Sequence, residues 1–314
     1  MTVLGPVPGE DLGVTSMHEH LIADVTKRDL NPNKRFDDPD EMIGEVREFL
    51  SAGGRTIVEL TCHGMGQDVA ALRRISEESG VQIVAATGFY WQLYYPDYVN
   101  EEDSDQLAAR MIHDWTHGLD DTAIRPGIIG ELGAAEDTDS LSPNEEKVFR
   151  AGARASLATG LAISTHCWQG RLAMEMIRVL TEEGVQPDRI VIGHLAVGYG
   201  LLDRVLRIAD TGVYLGIDTI GYVVGEWEDA NRASMVKALI ERGYLSQITL
   251  SQDMMRRAFF KCCGGHGYSH LLKTFVPMLQ ERGVTAHEVH TMLVGTPRRV
   301  LTGYAGPTPE DRSR

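Results

Sequence analysis

Apolar residues along the chain follow two alternating patterns. Short runs rich in β-branched residues, typical of buried strands, are separated by longer segments in which apolar residues recur at three- and four-residue steps, as in amphipathic helices. Eight strand-like runs occur, at 13–21, 55–61, 81–90, 127–133, 161–167, 189–195, 213–219 and 247–253. This alternation of strands with helices is typical of a parallel sheet whose faces are covered by helices.

The segments around the predicted strands support the same architecture. Gly80 and Gly160 lie just past helical segments, where a left-handed backbone ends a helix. Before the first strand, Gly5, Pro6 and Pro8 predict a short hairpin or turn. We therefore predict an α/β fold, a (β/α)8 TIM barrel with a short N-terminal hairpin. An open doubly wound sheet is the alternative, but the Gly-rich nucleotide-binding motifs of such sheets do not occur.

Composition narrows the classes of protein to consider. No linker or low-complexity stretch interrupts the chain, so residues 1–314 are predicted to form a single domain with a disordered tail at 306–314. The 30 Lys and Arg residues against 45 Asp and Glu give a net charge of −15, which argues against nucleic acid or an anionic membrane as partner. The N-terminus lacks an apolar targeting segment, so we expect a cytoplasmic protein. Four cysteines show no C-x-x-C spacing and are expected to be free thiols.

Residues suited to metal binding lie at the ends of the predicted strands. The first run ends in His18, Glu19 and His20, and because side chains alternate along a strand, the two histidines share one face while Glu19 points away. The active site of a TIM barrel is built at this end of its strands. Four further runs each carry one residue of the same kind, Glu131, His166, His194 and Asp253.

A binuclear metal site is the interpretation that explains this set. A single histidine at a strand end is more often a hydrogen-bonded core residue, but five strands that each deliver a ligand at the same end favour metal binding. Carboxylates inside apolar strands are costly to bury unless a cation neutralises them. Four imidazoles and two carboxylates suffice for two divalent ions, with zinc expected and manganese, cobalt or iron as alternatives.

Other side chains near the strand ends are candidates for substrate binding. Tyr90 and Trp91 follow the third run, and His266 is a further candidate for the pocket wall. A group of basic residues on the loop after the eighth run can bind an anionic part of a substrate; the alternative is a solvated loop without a ligand. This group follows Asp253 and consists of Arg256, Arg257 and Lys261.

Several segments resemble the phosphotriesterase family of the amidohydrolase superfamily, which includes phosphotriesterase-like lactonases and phosphotriesterase homology proteins. The resemblance covers nearly the whole chain. It rests on MHEHL (17–21), VAATGFYW (84–91), IIGELG (128–133), STHC (164–167), IGHL (192–195), LSQD (250–253), GGHGYSHLLKTFVPML (264–279) and TPRRVL (296–301).

The resemblance implies a role for each candidate ligand. Glu131 would bridge two metals at the position where many relatives have a carboxylated lysine, as in the branch of the homology proteins. Asp253 would also carry the proton of the nucleophile, and Tyr90 would lie over the metals. The ligands of the two metals would be His18, His20 and Asp253 for one ion, and His166 and His194 for the other.

The expected activity is hydrolysis of a small, anionic lactone or ester, in which a metal-bridging hydroxide attacks the carbonyl. The alternatives are an N-acyl amide hydrolase, a phosphotriesterase, and a metal-stabilised barrel that only binds its ligand. The glutamate at position 131 weighs against phosphotriester hydrolysis as the native reaction. The expected partner is a small-molecule substrate, and a homodimer is an option.

Overall fold

Eight parallel strands form the sheet at the centre of the fold. The computed structural model describes residues 1–198, 200–225 and 227–303, so the predicted disordered tail lies outside the described residues. The strands are β1 (Thr15–Glu19), β2 (Ala23–Asp24), β3 (Arg35–Phe36), β4 (Thr56–Glu59), β5 (Gln82–Thr87), β6 (Ile128–Gly133), β7 (Ile163–His166), β8 (Ile190–Ile192), β9 (Tyr214–Ile217) and β10 (Ile248–Leu250). The central sheet has the order β1-β4-β5-β6-β7-β8-β9-β10.

The sheet curls so that its last strand returns to its first. The Asp253 N–H, just after β10, donates to the His18 carbonyl of β1 over 3.1 Å. The Glu19 carboxylate reinforces this junction, because its Oε1 accepts from the Gln252 N–H at 2.9 Å and its Oε2 accepts from the Met254 N–H at 3.2 Å. All eight predicted runs contain one strand of this sheet, and the predicted TIM barrel is confirmed.

Helices alternate with the strands and pack against the sheet. Their ends follow the sequence signals: Ser142 and Glu145 form a capping box at the start of one helix, and Gly160 ends that helix with φ 77°. The helices are α1 (Pro39–Ser51), α2 (Val69–Ser79), α3 (Tyr98–Glu101), α4 (Ser104–His117), α5 (Pro143–Thr159), α6 (Ala173–Glu182), α7 (Leu202–Ala209), α8 (Asp229–Glu241), α9 (Val276–Glu281), α10 (Ala286–His290) and α11 (Thr296–Thr302).

Two small antiparallel elements lie before β4. Thr2 and Gly5 exchange two backbone hydrogen bonds of 2.9 Å, which is the predicted N-terminal hairpin in its shortest form. Strands β2 and β3 pair as a second ribbon, which the sequence analysis did not predict because each strand has only two residues. None of the described helices is both long and apolar enough to cross a lipid bilayer.

Two barrel strands lose their regular register where they carry candidate ligands. The pairing of β1 with β4 shifts between Ser16 and Glu19, and the pairing of β6 with β7 shifts between Ile129 and Leu132. Irregularities of this kind re-aim side chains and are common beside active sites. They bracket His18 in β1 and Glu131 in β6.

Candidate metal centre

The six predicted ligands converge at the C-terminal end of the barrel. His18 belongs to β1 and His20 follows it, Glu131 belongs to β6, and the other three end or follow their strands. Every one of the six is buried, with at most 6% of its surface exposed. The set comprises His18, His20, Glu131, His166, His194 and Asp253.

Glu131 lies between two groups of imidazoles. Its Oε1 is 3.4 Å from His20 Nε2, and its Oε2 is 3.4 Å from His18 Nε2. The same Oε2 is 3.4 Å from His166 Nδ1 and 3.6 Å from His194 Nε2. One carboxylate therefore contacts both halves of the cluster, which is the arrangement that a bridging ligand requires.

Several polar atoms of this cluster are buried without a hydrogen bond. Within the described residues, His18 Nε2, His20 Nε2 and Glu131 Oε2 have no hydrogen-bond partner. Leaving such atoms unpaired away from water is costly, so buried polar atoms nearly always find a partner. Three atoms with available lone pairs, directed at one small space, fit a divalent cation. The residues present therefore suit the metals that the sequence implies.

Asp218 orients two of the four histidines, and the sequence analysis missed it. Its Oδ1 is 2.9 Å from His194 Nδ1, and its Oδ2 is 3.3 Å from His18 Nδ1. A carboxylate that accepts from both Nδ1 atoms fixes the tautomers that leave Nε2 free for a metal. Asp218 comes directly after β9, so the same strand-end criterion that selected the ligands could have found it.

The remaining two histidines have orienting partners of their own. The Thr61 hydroxyl lies 2.9 Å from His20 Nδ1, which leaves Nε2 of that ring facing Glu131. His166 has the opposite orientation, because its Nε2 is 3.6 Å from Glu136 Oε1 while its Nδ1 faces Glu131. The cluster thus presents three Nε2 atoms and one Nδ1 atom. Neither Thr61 nor Glu136 was among the predicted site residues.

The carboxylates of the site hold protons on its buried imidazoles. Burial lowers the pKa of His18, but the carboxylates of Glu131 and Asp218 outweigh burial and raise it to about 10. Burial opposes the same effect at His20, where Asp253 and Glu131 raise the pKa to about 9. Carboxylates that hold protons on buried imidazoles this strongly also favour a metal ion in the place of those protons.

Two of the predicted ligands have left-handed backbones. His194 has φ 56° and Asp253 has φ 51°, values that residues with a Cβ seldom adopt. Such conformations cost free energy and persist where function requires them. At Asp253 the conformation is held by the backbone bond to His18 and by the Tyr222 hydroxyl, which donates to the Asp253 carbonyl over 2.6 Å.

A cavity of about 370 Å³ opens directly onto His166 and Asp253. Tyr90 lines this cavity, with its hydroxyl 3.2 Å from His166 Nδ1. Burial, with Glu131 nearby, raises the pKa of Tyr90 well above its usual value, so the hydroxyl stays protonated and can donate a hydrogen bond. The aromatic part of the wall consists of Tyr90, Trp91, Tyr94, Trp168 and Tyr222.

The cationic side chains Arg28, Lys34 and Arg256 line the cavity, and they differ in whether a carboxylate is paired with them. The Arg28 guanidinium pairs with Glu136 at 2.6 Å, and the Lys34 amine pairs with Asp29 at 2.7 Å. Arg256 is exposed and forms no close ion pair among the described residues, although Asp29 on the same wall is near enough to interact with its charge. It is therefore the cation of this wall that is available to a ligand.

The other predicted substrate residues do not line this cavity. Arg257 forms an ion pair with Glu41 of α1. Lys261 is exposed on the following turn, and the ring of His266 stacks on Phe259 with centroids 5.3 Å apart. The three residues lie on the same loop as Arg256, but Arg257 faces helix α1, His266 packs within the loop and Lys261 is exposed to solvent.

Comparisons with known proteins agree with this geometry. A scan of family models matches the phosphotriesterase family over residues 1–301. A phosphotriesterase homology protein of Escherichia coli is 35% identical over 91% of this chain and 96% of its own length. An N-acetyltaurine hydrolase of Dictyostelium discoideum is 30% identical, over 93% of this chain and 82% of its own.

Solved structures show the same fold. A phosphotriesterase homology protein from Escherichia coli, complexed with phosphate in its active site, superposes with a TM-score of 0.88 at 34% identity, over 93% of this chain and 99% of that one. A lactonase from Listeria monocytogenes superposes with a TM-score of 0.87 at 26% identity, over 96% and 98% of the two chains. From the strand-end ligands, the barrel and these relatives, we conclude that the chain is a hydrolase of the phosphotriesterase family.

Proposed function

We propose that this enzyme uses two divalent metals, with zinc as the first choice, to hydrolyse a small carbonyl compound that carries an anionic group. A lactone or ester is the first candidate substrate. The observation that carries the proposal is the position of Glu131, one carboxylate shared by two groups of imidazoles, of which His18 and His20 have unpaired Nε2 atoms. Two bound ions would lower the pKa of a water molecule and polarise the substrate carbonyl. The protein's own side chains supply orientation and proton transfer.

Asp253 is positioned to hold the proton that the nucleophile gives up. Its Oδ1 is 3.3 Å from His20 Nε2, its side chain borders the cavity, and its backbone is fixed by Tyr222. A carboxylate in that place can accept the proton and later return it to the leaving group. The neutral Tyr90 hydroxyl, on the same side of the cavity, can donate a hydrogen bond to a substrate oxygen.

Arg256 supports an anionic substrate. The guanidinium lies on the cavity wall and forms no close ion pair within the part of the chain that the structure describes, whereas Arg28 and Lys34 are already paired. A guanidinium binds a carboxylate, sulfonate or phosphate through parallel hydrogen bonds. Because Arg256 lines the same cavity as His166 and Asp253, binding of the anionic group there would hold the carbonyl of a short substrate near Asp253.

An N-acyl amide is the second candidate substrate, and the relatives favour it. Proteins named N-acetyltaurine hydrolases are 30% identical to this chain over more than nine-tenths of its length. N-acetyltaurine joins an amide carbonyl to a sulfonate, so it has the same two features as an anionic lactone. A phosphotriester is a weaker third candidate, because it carries no anionic group for Arg256.

The substrate proposal is tested by kinetics on a matched panel. We expect the metal-loaded enzyme to hydrolyse anionic lactones or N-acyl amino sulfonates with a higher kcat/KM than their neutral analogues. Replacing Arg256 by Gln should raise KM for the anionic compounds roughly tenfold or more, because a hydrogen bond to a charged group contributes about 1.5–3 kcal/mol. Neutral analogues should be affected little.

Arg257→Gln is the matched control, since Arg257 has the same chemistry on the same loop but pairs with Glu41. It should leave KM unchanged for both classes of compound. Equal KM effects of the Arg256 variant on anionic and neutral compounds would contradict the proposed recognition of an anion. Activity confined to neutral phosphotriesters would overturn the proposed substrate class.

A further inference from the structure

Two adjacent cysteines on the loop after β10 present their thiols to solvent. Cys262 and Cys263 are exposed, and their Sγ atoms are 3.7 Å apart. Cys62 and Cys167 are buried, so the vicinal pair supplies the accessible thiols of the described chain. Neither exposed cysteine contacts the metal centre or lines the cavity, and the proposed hydrolytic mechanism uses neither.

The turn that carries these thiols is held in place by a buried carboxylate. Glu45 of α1 accepts from the Lys261 N–H and from the Cys262 N–H, both at 2.8 Å, one bond to each of its oxygens. Glu45 itself is only 2% exposed. The backbone under the two thiols is therefore fixed relative to α1 rather than free to rearrange.

Glu41, one helical turn before Glu45, offers a third ligand. A carboxylate oxygen of Glu41 and the two Sγ atoms all lie within 4.8 Å of one another. The ion pair between Glu41 and Arg257 keeps this carboxylate on the side of the loop. Burial, the neighbouring thiol, Glu45 and Glu41 together raise the pKa of Cys262 to about 12, so without a metal this thiol is protonated at neutral pH.

We propose that Cys262, Cys263 and Glu41 form a second metal site, separate from the catalytic centre, for a thiophilic divalent ion of the zinc and cadmium class. In a tetrahedral site with Zn–S bonds of about 2.3 Å, the two sulfurs are about 3.8 Å apart. The observed Sγ separation of 3.7 Å matches this spacing. A disulfide would require the sulfurs to approach to about 2.05 Å on a turn that Glu45 holds fixed.

Binding at this site has a defined proton balance and a structural consequence. Each bound ion displaces one proton from each thiol and forms two metal–sulfur bonds and one metal–oxygen bond, with no change in oxidation state. The ion would link the loop after β10 to helix α1. Because that loop also carries Arg256, the ion would stabilise the outer wall of the cavity without touching substrate.

Cadmium is the probe that separates this site from the catalytic one, because thiolate–cadmium bonds give an ultraviolet charge-transfer band and the histidine–carboxylate cluster contains no sulfur ligand. The enzyme is chelated, reloaded with only two zinc ions per chain for the catalytic centre so that the thiols remain metal-free, kept reduced by a phosphine, and titrated with CdCl2. We expect the band to saturate at about one ion per chain, with about two protons released. The double variant Cys262→Ser/Cys263→Ser should show no band.

Glu41→Gln tests the third ligand, and Glu48→Gln on the same helix is its charge-matched control. We expect Glu41→Gln to weaken cadmium binding roughly tenfold and Glu48→Gln to leave it unchanged. An unchanged band in the double cysteine variant, or no band in wild type with both thiols reduced, would overturn the site. Equal binding by the two glutamate variants would remove Glu41 from it. The band is read without an activity assay, so these outcomes are independent of the proposed hydrolase function.

Discussion

Asp218 accepts from the rings of two histidines that belong to different strands. It contacts His194 Nδ1 and His18 Nδ1, and both of its oxygens also accept from the His194 N–H at 3.0 Å. Burial opposes ionisation, but the two imidazoles keep the pKa of Asp218 well below its usual value. A permanently ionised carboxylate in this position makes both Nε2 atoms better metal donors.

Replacing Asp218 by Asn should therefore weaken metal binding roughly 10- to 100-fold, because the amide cannot hold both imidazoles in the required tautomer. The measurement is the metal dissociation constant of the variant beside that of Asp203→Asn, an exposed aspartate of α7 that serves as control. If both variants bind metal as wild type does, Asp218 does not orient the ligands.

At the scale of single residues, the sequence predicts the candidate ligands that lie in or at the ends of strands. His18, His20 and Glu131 follow from alternation and from the cost of burying a charge in an apolar strand. Arg257 shows what the sequence leaves open, since its side chain is directed away from the cavity by Glu41, which is 216 positions distant along the chain. A partner so remote cannot be read from the local pattern of a loop.

At the scale of elements, the junction of β1 and β10 depends on one buried side chain. The Glu19 carboxylate accepts from the Ser16 hydroxyl at 2.6 Å and from two N–H groups that follow β10. Burial raises its pKa to about 7 despite these three hydrogen bonds. The alternation of β1, which turns the two histidines toward the metal centre, thus turns Glu19 toward the strand that closes the barrel.

Replacing Glu19 by Ala should lower the free energy of unfolding by about 2 kcal/mol or more, because buried donors lose their acceptor. Urea denaturation of the chelated protein measures this cost without a contribution from metal binding. Glu48→Ala removes a partly exposed glutamate of α1 and should change stability by less than about 0.5 kcal/mol. Equal stability of the two variants would show that the junction does not depend on Glu19.

Helices and strands could be predicted where their buried apolar residues form a recognisable pattern along the chain. Each of the eight apolar runs contains a strand of the barrel, because a strand covered on both faces must be apolar along its length. The ribbon of β2 and β3 escaped prediction, since two-residue strands carry no period. The shifts of register in β1 and β6 were equally invisible, because the pairing partner determines them.

At the scale of the whole molecule, the barrel brings several carboxylates together at one place. The net charge of −15 does not indicate this clustering. Glu131, Asp218 and Asp253 meet within one buried cluster. Burial lowers the pKa of His18, but Glu131 and Asp218 outweigh burial and raise it to about 10. Below that pH a metal ion must displace protons in order to bind. Metal affinity should therefore fall as pH falls.

Removing the metals and adding them back tests whether the unmodified carboxylate of Glu131 bridges them. Because Glu131 needs no carbon dioxide to become a carboxylate, chelated enzyme should regain full activity when divalent ion alone is added, at a rate independent of bicarbonate. The expected reactivation curves with and without bicarbonate coincide. Reactivation that requires bicarbonate would mean that a carbamate, rather than Glu131, completes the site.

The most direct test of the account is the metal content of Glu131→Gln. The glutamine keeps the shape of the side chain but removes the charge that neutralises two cations at once. With Cys262 and Cys263 replaced by serine in both proteins, so that only the catalytic centre is counted, metal analysis should give about two ions per chain with Glu131 intact and about one in Glu131→Gln. The fold should be retained, as read from its circular dichroism. Two ions per chain in Glu131→Gln, with a loss of stability alone, would contradict a metal-bridging role for this residue.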